Sequence, residues 1–215
     1  MSKETIKRVL KSLHFSWHRL RRKSRGCPDP EEYQQKKDEL EELKKQEAAG
    51  VLDLFYFDES GFCLVPYIPY AWQEQGSTMT IESGKSRRLN ILGFMNRKNE
   101  LQAYSIEGTV TSAVVIDCVD DFCKTVHKKT VIVMDNARIH KSDAFEAKQV
   151  EWEKQEVGFF FLPTYSPELN LIEILWRFMK YEWIDFEAYQ SWKQLVEYVE
   201  NVLAGFGGEY KINFS

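Results

Sequence analysis

The sequence lacks a hydrophobic run of the roughly 18 residues that a membrane span needs, and Met1-Ser2-Lys3-Glu4 does not open a signal peptide. Cysteine is scarce, and the cysteines form no CxxC pair and have no histidine at zinc-finger spacing. A disulfide framework and a structural zinc site are therefore not indicated. We interpret the four cysteines as buried or idle thiols and expect a cytoplasmic protein; they are Cys27, Cys63, Cys118 and Cys123.

The composition suits one globular domain with a small appendage. The chain has 215 residues, of which 43% are hydrophobic and 14% aromatic, so it can bury a substantial core. Its charge is uneven, because residues 1–27 hold nine basic residues against one acid while the whole chain has a formal net charge of −4. The body from residue 28 onward is therefore strongly acidic.

The basic arm, residues 1–27, is typical of nucleic-acid contact, because Lys and Arg release counterions from phosphates. Residues 2–13 predict a short helix with an apolar face opposite its cations. We interpret the arm as the remnant of a helix-turn-helix DNA-binding region, with a solvated basic tail as the alternative. The cations expected to contact DNA are Lys7, Arg8, Lys11, Arg19, Arg21, Arg22, Lys23 and Arg25.

A second helix start follows the arm. Asp29 is placed to cap a helix, Pro30 suits its first turn, and Gly50 is placed to end it after Ala49. Residues 28–50 therefore predict a charged helix that connects the arm to the body. A solvated structural helix is the alternative.

The body, residues 51–215, predicts an α/β domain. Short turns separate the first strands, which can pair antiparallel, whereas helices separate the later strands, which should add in parallel. This order predicts a ribonuclease-H-like mixed sheet flanked by helices, with the first strand central. The expected strands are 52–58, 62–66, 88–95, 101–107, 130–135 and 157–162, and the expected helices are 112–125, 142–155, 169–183 and 187–204.

Three acids occupy similar contexts on separate segments of the body. Asp58 ends the strand-like run 54–57, Asp135 ends the run 131–134, and Glu173 lies in the apolar helical segment 169–176. A carboxylate at a strand end is held rigidly yet stays accessible, and an unpaired charge in an apolar segment is costly. The pattern predicts a metal site, and three unrelated structural acids are the alternative.

The segments around these acids resemble a known family. FDESGF at 57–62, VMDNARIH at 133–140 and LPTYSPELNLIEILW at 162–176 resemble the DDE transposases of the IS630 branch of the IS630/Tc1/mariner superfamily. The resemblance covers residues 51–205. Thr164 and Leu171 depart from it, because the family often has proline there. Residues 2–25 resemble the end of the family's N-terminal helix-turn-helix or winged-helix region. Family members carry a longer N-terminus, so we expect an N-terminally truncated chain.

The resemblance implies cleavage of double-stranded DNA at transposon ends and transfer of the freed 3′-hydroxyl into target DNA, typically at TA. Two divalent cations about 4 Å apart can stabilise the entering and leaving oxygens, and oxygen-only ligands select Mg²⁺ or Mn²⁺ over zinc. The family pattern implies that Asp58 bridges the ions, while Asp135 and Glu173 each complete one site. A catalytically idle DNA-binding remnant and a ribonuclease-H-like nuclease without strand joining remain alternatives. Assembly as a homo-oligomer is left open, and the cytoplasmic protein is expected at the nucleoid when it is bound to DNA.

Five further residues could orient a ligand or contact DNA. Glu59 follows Asp58 and should face the opposite side of the strand, which suits an orienting or structural role better than ligation. His140 could act as a general acid, although a hydrogen-bonded structural histidine is the alternative. The other three, which follow the second acid or precede the third, are Asn136, Tyr165 and Asn170.

Overall fold

The computed structural model describes residues 2–15, 26, 28–66 and 87–214. The strands are β1 (Asp53–Cys63), β2 (Arg88–Met95), β3 (Leu101–Glu107), β4 (Thr130–Met134) and β5 (Val157–Phe161). The α-helices are α1 (Lys3–Ser12), α2 (Pro30–Ala48), α3 (Ser112–Cys123), α4 (Asp143–Glu153), α5 (Ile172–Phe178) and α6 (Trp192–Gly205).

The five strands form one mixed sheet in the order β3-β2-β1-β4-β5. β1 pairs antiparallel with β2, and β2 with β3, whereas β4 pairs parallel with both β1 and β5. Helices α3 and α4 make the crossovers that parallel pairing requires. The predicted mixed sheet with a central first strand beside the strand after α3 is therefore confirmed.

Each face of the sheet buries its own apolar core. Residues alternate across β1, so Tyr56 joins the core under α5 and α6, while Phe57 joins the core under α3 and α4. The predicted helix at 28–50 forms as α2, capped by Asp29, which accepts from two backbone N–H groups. Its Leu40 is buried in the same core as Tyr56, so α2 packs on the body.

The expected break between strands at 52–58 and 62–66 is wrong. β1 is continuous because its pairing with β2 runs without interruption from Tyr56 to Cys63. Asp58 therefore does not end a strand. It lies where β1 has passed the last residue that pairs with β4, and it remains paired with Gly93 of β2 on its other side.

Two expected long helices are interrupted. The segment predicted at 169–183 contains a 3₁₀ turn (Pro167–Leu169), α5, and then a π-helical turn (Met179–Trp183). The segment predicted at 187–204 begins as a 3₁₀ turn (Phe186–Gln190), and α6 starts only after Ser191, whose hydroxyl accepts from the Gln194 N–H. Among the described helices, none has the length and apolar character to cross a membrane.

The predicted helix in the arm is confirmed as α1, with Ser2 as its N-cap. No residue of α1 is buried, and its apolar side chains are exposed; they are Ile6, Val9 and Leu10, followed by Leu13 after the helix. Five of the arm cations predicted to contact DNA lie outside the described residues: Arg19, Arg21, Arg22, Lys23 and Arg25.

Candidate active site

The register of β1 and β4 brings the two predicted aspartates to the same level of the sheet. Tyr56 pairs with Val133, so Asp58 and Asp135 each follow two residues later along parallel, adjacent strands. β4 ends at Met134, which leaves Asp135 in the connection that follows. The sheet therefore places the two carboxylates side by side where β1 loses its neighbour.

The third acid reaches the same cleft from α5. Glu173 lies in the first turn of α5, and the cleft of about 460 Å³ is lined by Asp58, Asp135 and Glu173 together. Glu173 is exposed by surface area, whereas Asp58 and Asp135 are half-buried. Three acids from segments far apart in sequence thus share one solvent-accessible cleft.

Asp58 carries the strongest electrostatic conflict in this cleft. Burial raises the pKa of its carboxyl well above the ordinary value, and the charges of Glu173, Glu59 and Asp135 raise it further. The pKa of Glu173 is also raised, first by burial of its carboxylate among neighbouring atoms, with Lys180 opposing that effect. The protein therefore holds these acids close together at a cost in charge repulsion.

Trp176 fixes the orientation of Asp58. Its indole Nε1–H donates to Asp58 Oδ2 at 3.1 Å, and the Trp176 side chain is buried at 2% exposure. Trp176 follows Glu173 by three residues on α5, so one short helix supplies the third acid and also positions the first.

His140 bridges the second acid and Glu59. Its Nδ1 lies 2.9 Å from Asp135 Oδ1, and its Nε2 lies 3.0 Å from Glu59 Oε1, with the ring fully buried. Burial lowers the pKa of His140, but the hydrogen bonds to Asp135 and Glu59 outweigh burial and raise it to about 9. Burial likewise raises the pKa of Asp135, yet His140 lowers it overall.

The bridge gives Glu59 a definite place in the structure. Glu59 lies on the opposite face of β1 from Asp58, beside Phe57, whose ring contacts the His140 ring edge-on at 5.6 Å. It does not line the cleft of the three acids. Glu59 instead contacts His140, which in turn contacts Asp135, so Glu59 can orient the second acid without lining the cleft.

The remaining predicted residues line the cleft. Asn170 donates through Nδ2 to the Phe57 carbonyl at 2.9 Å, while its buried Oδ1 has no hydrogen-bond partner. Asn136 lies on the wall after Asp135. Tyr165 is 57% exposed at the rim and has a positive φ of 60°, a strained conformation for a residue with a side chain.

Lys180 is a site residue that sequence reasoning missed. It lies in the π-helical turn, 5.6 Å from the centre of the Phe62 ring. Burial lowers the pKa of its ammonium group, and the charges of Glu173 and Asp58 oppose that shift. The motif at 162–176 stops short of it, but Lys180 follows Glu173 by seven residues, a spacing that places two residues on one face of a helix and could have indicated it.

The donor set in the cleft suits a hard divalent cation, because it consists of carboxylate oxygens whose mutual repulsion a cation would relieve. In the part of the chain that the structure describes, no three His, Cys, Asp or Glu side chains are arranged to hold one ion as they stand. Trp176 contacts one carboxylate oxygen of Asp58, and His140 contacts one carboxylate oxygen of Asp135. The chemistry of the site fits a metal, and ligation by all three acids requires their side chains to rotate.

Comparison with protein families assigns the chain. The family described as DDE superfamily endonuclease matches residues 53–196, which include all three acids. The chain belongs to this family, as the three motifs predicted. No curated protein matches the chain significantly.

Solved structures of Mos1 transposase share the fold. A paired-end complex with the left transposon end superposes with a TM-score of 0.62 at 15% identity, covering 94% of this chain and 63% of that one. The Mos1 mariner paired end complex with Mn gives 0.63 at 14%, covering 95% and 64%, and the isolated Mos1 catalytic domain gives 0.54 at 12%, covering 85% of each chain. This chain thus spans about two thirds of the Mos1 chains in those complexes. The likeness confirms the predicted ribonuclease-H-like fold.

Proposed function

We propose that the chain is the catalytic part of a DDE transposase of the IS630 type, which cleaves DNA at transposon ends and joins the freed 3′-hydroxyl to target DNA. The observation that carries this proposal is the convergence of Asp58, Asp135 and Glu173 on one open cleft. Membership in the DDE superfamily endonucleases and the fold shared with the Mos1 complexes support it.

In this proposal the three acids hold Mg²⁺ or Mn²⁺, as two ions. The bound cations would supply charge stabilisation at the entering and leaving oxygens of the phosphodiester. The Mos1 structures with Mn and with Mg support this choice of ion. Asp58 would help to hold both ions, as the resemblance to the family implies, and their positive charge would offset the repulsion that raises the pKa of this residue.

The proposed reaction has two steps, cleavage and joining, and the surrounding residues keep the acids in place during both. In cleavage, a water oxygen forms a bond to the phosphorus and the 3′-oxygen leaves, taking up a proton to become a hydroxyl. In joining, that hydroxyl oxygen bonds to a target phosphorus and displaces the target 3′-oxygen.

Trp176 orients Asp58, and His140 orients Asp135 with Glu59 behind it. Asn136, Tyr165 and Asn170 line the space where DNA would lie.

DNA binding is proposed to involve the arm as well as the cleft. Lys7, Arg8 and Lys11 are exposed on α1, and residues 1–27 would contact phosphates while residues 51–215 carry out the chemistry, with 28–50 connecting them. The finer assignments are also proposals: target sites at TA, assembly as a homo-oligomer, and a cytoplasmic, DNA-associated location.

The test is a strand-cleavage and strand-joining assay with purified protein, labelled duplex ending in the element's terminal repeat, and Mg²⁺ or Mn²⁺. Metal-dependent nicks and joined products are expected, and Asp58→Asn, Asp135→Asn and Glu173→Gln should each lose both by at least about a hundredfold. Glu182→Gln, an exposed acid of the π turn, is the matched control. Nicks without joined product would favour a nuclease, and no reaction with intact DNA binding would favour an idle remnant.

A further inference from the structure

A second groove opens at the same end of the sheet as the acidic cleft. β1 ends, β2 begins and β3 ends at that edge, which is also where β4 ends before Asp135. The groove has a volume of about 660 Å³ and lies on the β2–β3 side. We call it the Arg88 groove; its lining is Arg87, Arg88, Asn90, Glu107, Gly108, Thr109, Val110 and Trp192.

Arg88 is held in a fixed geometry there. Its Nε donates to Asn90 Oδ1 at 2.8 Å, and Asn90 Nδ2 donates in turn to the Gly108 carbonyl at 2.6 Å. The amide of Asn90 therefore ties the guanidinium to the end of β3. Arg88 remains exposed, so its other N–H donors can reach a ligand.

Gly61 makes room for this guanidinium. A Cβ added at Gly61 would collide with Nε, Cζ and Nη2 of Arg88, so the Arg88 side chain lies across the bare Cα of β1. Gly61 pairs with Asn90 in the middle of a continuous sheet, where glycine otherwise weakens a strand. The glycine in the FDESGF motif is thus explained by the close approach of an arginine.

The groove favours an anion over other ligands. Arg87 and Arg88 face one acid, Glu107, and α3 begins at Ser112, just after Thr109 and Val110, so the positive end of its dipole adds to the potential. Lys180, whose charge interacts with those of Glu173 and Asp58, also lies near enough to Arg88 for their charges to interact.

The position of the groove relative to the acids suits extended nucleic acid. Gly61 is three residues beyond Asp58 on β1, which corresponds to about 10 Å along the strand. β2 lies two strand positions from β4, which is again about 10 Å across the sheet. Gly61 and Asn90 lie on the same face of the sheet as Glu59, opposite the face of Asp58, so a DNA duplex must lie across this end of the sheet to contact both sites.

We propose that the Arg88 groove is a second DNA contact, in which Arg88, preorganised by Asn90 and Gly61, holds a backbone phosphate of the duplex that is cut in the acidic cleft. The inference rests on the proposed function for the identity of the ligand. A fixed guanidinium loses little freedom on binding and can engage a phosphate through two N–H groups. The contact positions DNA without reading its sequence.

The test measures binding of the 215-residue protein to a fluorescein-labelled 30-base-pair duplex in EDTA, over a series of salt concentrations. Arg88→Ala should lower the affinity about tenfold and reduce the salt slope by about one unit. Gly61→Ala should do nearly the same although it removes no charge, because its methyl group displaces the guanidinium. Lys129→Ala, an exposed cation at the opposite end of the sheet, is the matched control and should stay within about twofold.

Unchanged binding by both Arg88→Ala and Gly61→Ala would overturn the inference, and so would a loss in Arg88→Ala no larger than in Lys129→Ala. If Gly61→Ala lowers the unfolding midpoint, Asn90→Ala replaces it, since that change removes the acceptor of the Arg88 Nε–H without filling space. The proposed function is read separately: a wild-type protein that binds no duplex contradicts it, whereas normal wild-type binding with unaffected variants contradicts only the Arg88 groove.

Discussion

At the residue scale, the acidic cleft is held against its own electrostatics. The pKa of Asp58 is raised by burial and by three neighbouring carboxylates, so the folded protein resists the charged form of this residue. A hydrogen bond from the Glu59 backbone offsets part of that resistance at Asp58, and His140 lowers the pKa of Asp135. A carboxylate whose charged form is disfavoured in this way is typical of a site that binds a cation at some cost in stability.

Asp58→Asn should therefore stabilise the metal-free protein. Because the folded pKa of Asp58 lies above the ordinary value of 3.8, ionisation favours the unfolded state; the cost is absent below about pH 3.8 and grows as the pH rises toward the folded pKa. In EDTA at pH 7 the variant should unfold roughly 2–4 °C above the wild type, and the gain should vanish near pH 4. Asn keeps an oxygen for the Trp176 N–H, so packing is preserved.

Thermal unfolding monitored by circular dichroism at both pH values measures this difference. Asp53→Asn, at the start of the same strand, is the control, since Lys98 and Lys128 pair with Asp53 and its loss should lower stability or leave it unchanged. An equal or lower midpoint for Asp58→Asn at pH 7 would show that Asp58 is not destabilised in the folded state.

At the element scale, α5 links the acids to the core. It is only seven residues long, yet it carries Glu173 into the cleft and places Trp176 against Asp58 while Leu175 packs in the core. Gly93 of β2 lies under the Trp176 ring, where an added Cβ would come within 3.1 Å of it. The helix thus packs closely on β1, which carries Asp58, and on β2, whose Gly93 pairs with Asp58.

Trp176→Phe should lower both stability and the response to metal. The variant loses the N–H that orients Asp58 and leaves the carboxylate less well satisfied, at a cost of about 1.5–3 kcal/mol in the free energy of unfolding. Trp152→Phe is the matched control, because Trp152 is also buried and donates to an aspartate, Asp120, on the other face of the sheet.

Both variants should be less stable, but only Trp176→Phe should weaken Mn²⁺ binding measured by titration calorimetry. Equal Mn²⁺ affinity in the two variants would mean that the indole of Trp176 serves packing alone.

The elements also indicate what the sequence could predict. Period-two runs and turn order were enough to predict the mixed sheet and the convergence of three acids, because local pattern and topology rules determine both. The continuity of β1 was not predictable, since pairing with β2 overrides the turn tendency of the segment after Asp58. The contact of Trp176 with Asp58 joins residues 118 positions apart, and the contact of His140 with Glu59 joins residues 81 positions apart, so local pattern could not predict either. His140 lies only 5 positions from Asp135, but their contact depends on how the turn after β4 packs.

At the scale of the whole molecule, basic and acidic residues are unevenly distributed between the arm and the body. The arm is basic and the body is acidic, and within the described part of the body Arg87 and Arg88 lie together in the Arg88 groove. An acidic body repels DNA in general, so productive binding requires these cations to outweigh it.

Replacing Lys7, Arg8 and Lys11 together with Gln should weaken binding to duplex DNA and reduce the salt slope by about two to three units. These side chains are exposed on α1, so the change should not alter the stability of the body. The control replaces three exposed cations of the body, Lys129, Lys154 and Lys211, with Gln. Fluorescence anisotropy over a salt series compares the two triple variants, and an identical slope for both would refute a specific role for the arm.

The central claim, that Asp58, Asp135 and Glu173 form one divalent-metal site, is tested most directly by the shift in unfolding midpoint on adding Mg²⁺ or Mn²⁺. Metal at about a hundred times its dissociation constant should stabilise the wild type by about 2.7 kcal/mol, because it binds only the folded state. Asp58→Asn, Asp135→Asn and Glu173→Gln should each lose most of that gain, whereas Glu182→Gln should keep it. A metal response that is unchanged in all three variants would contradict the account.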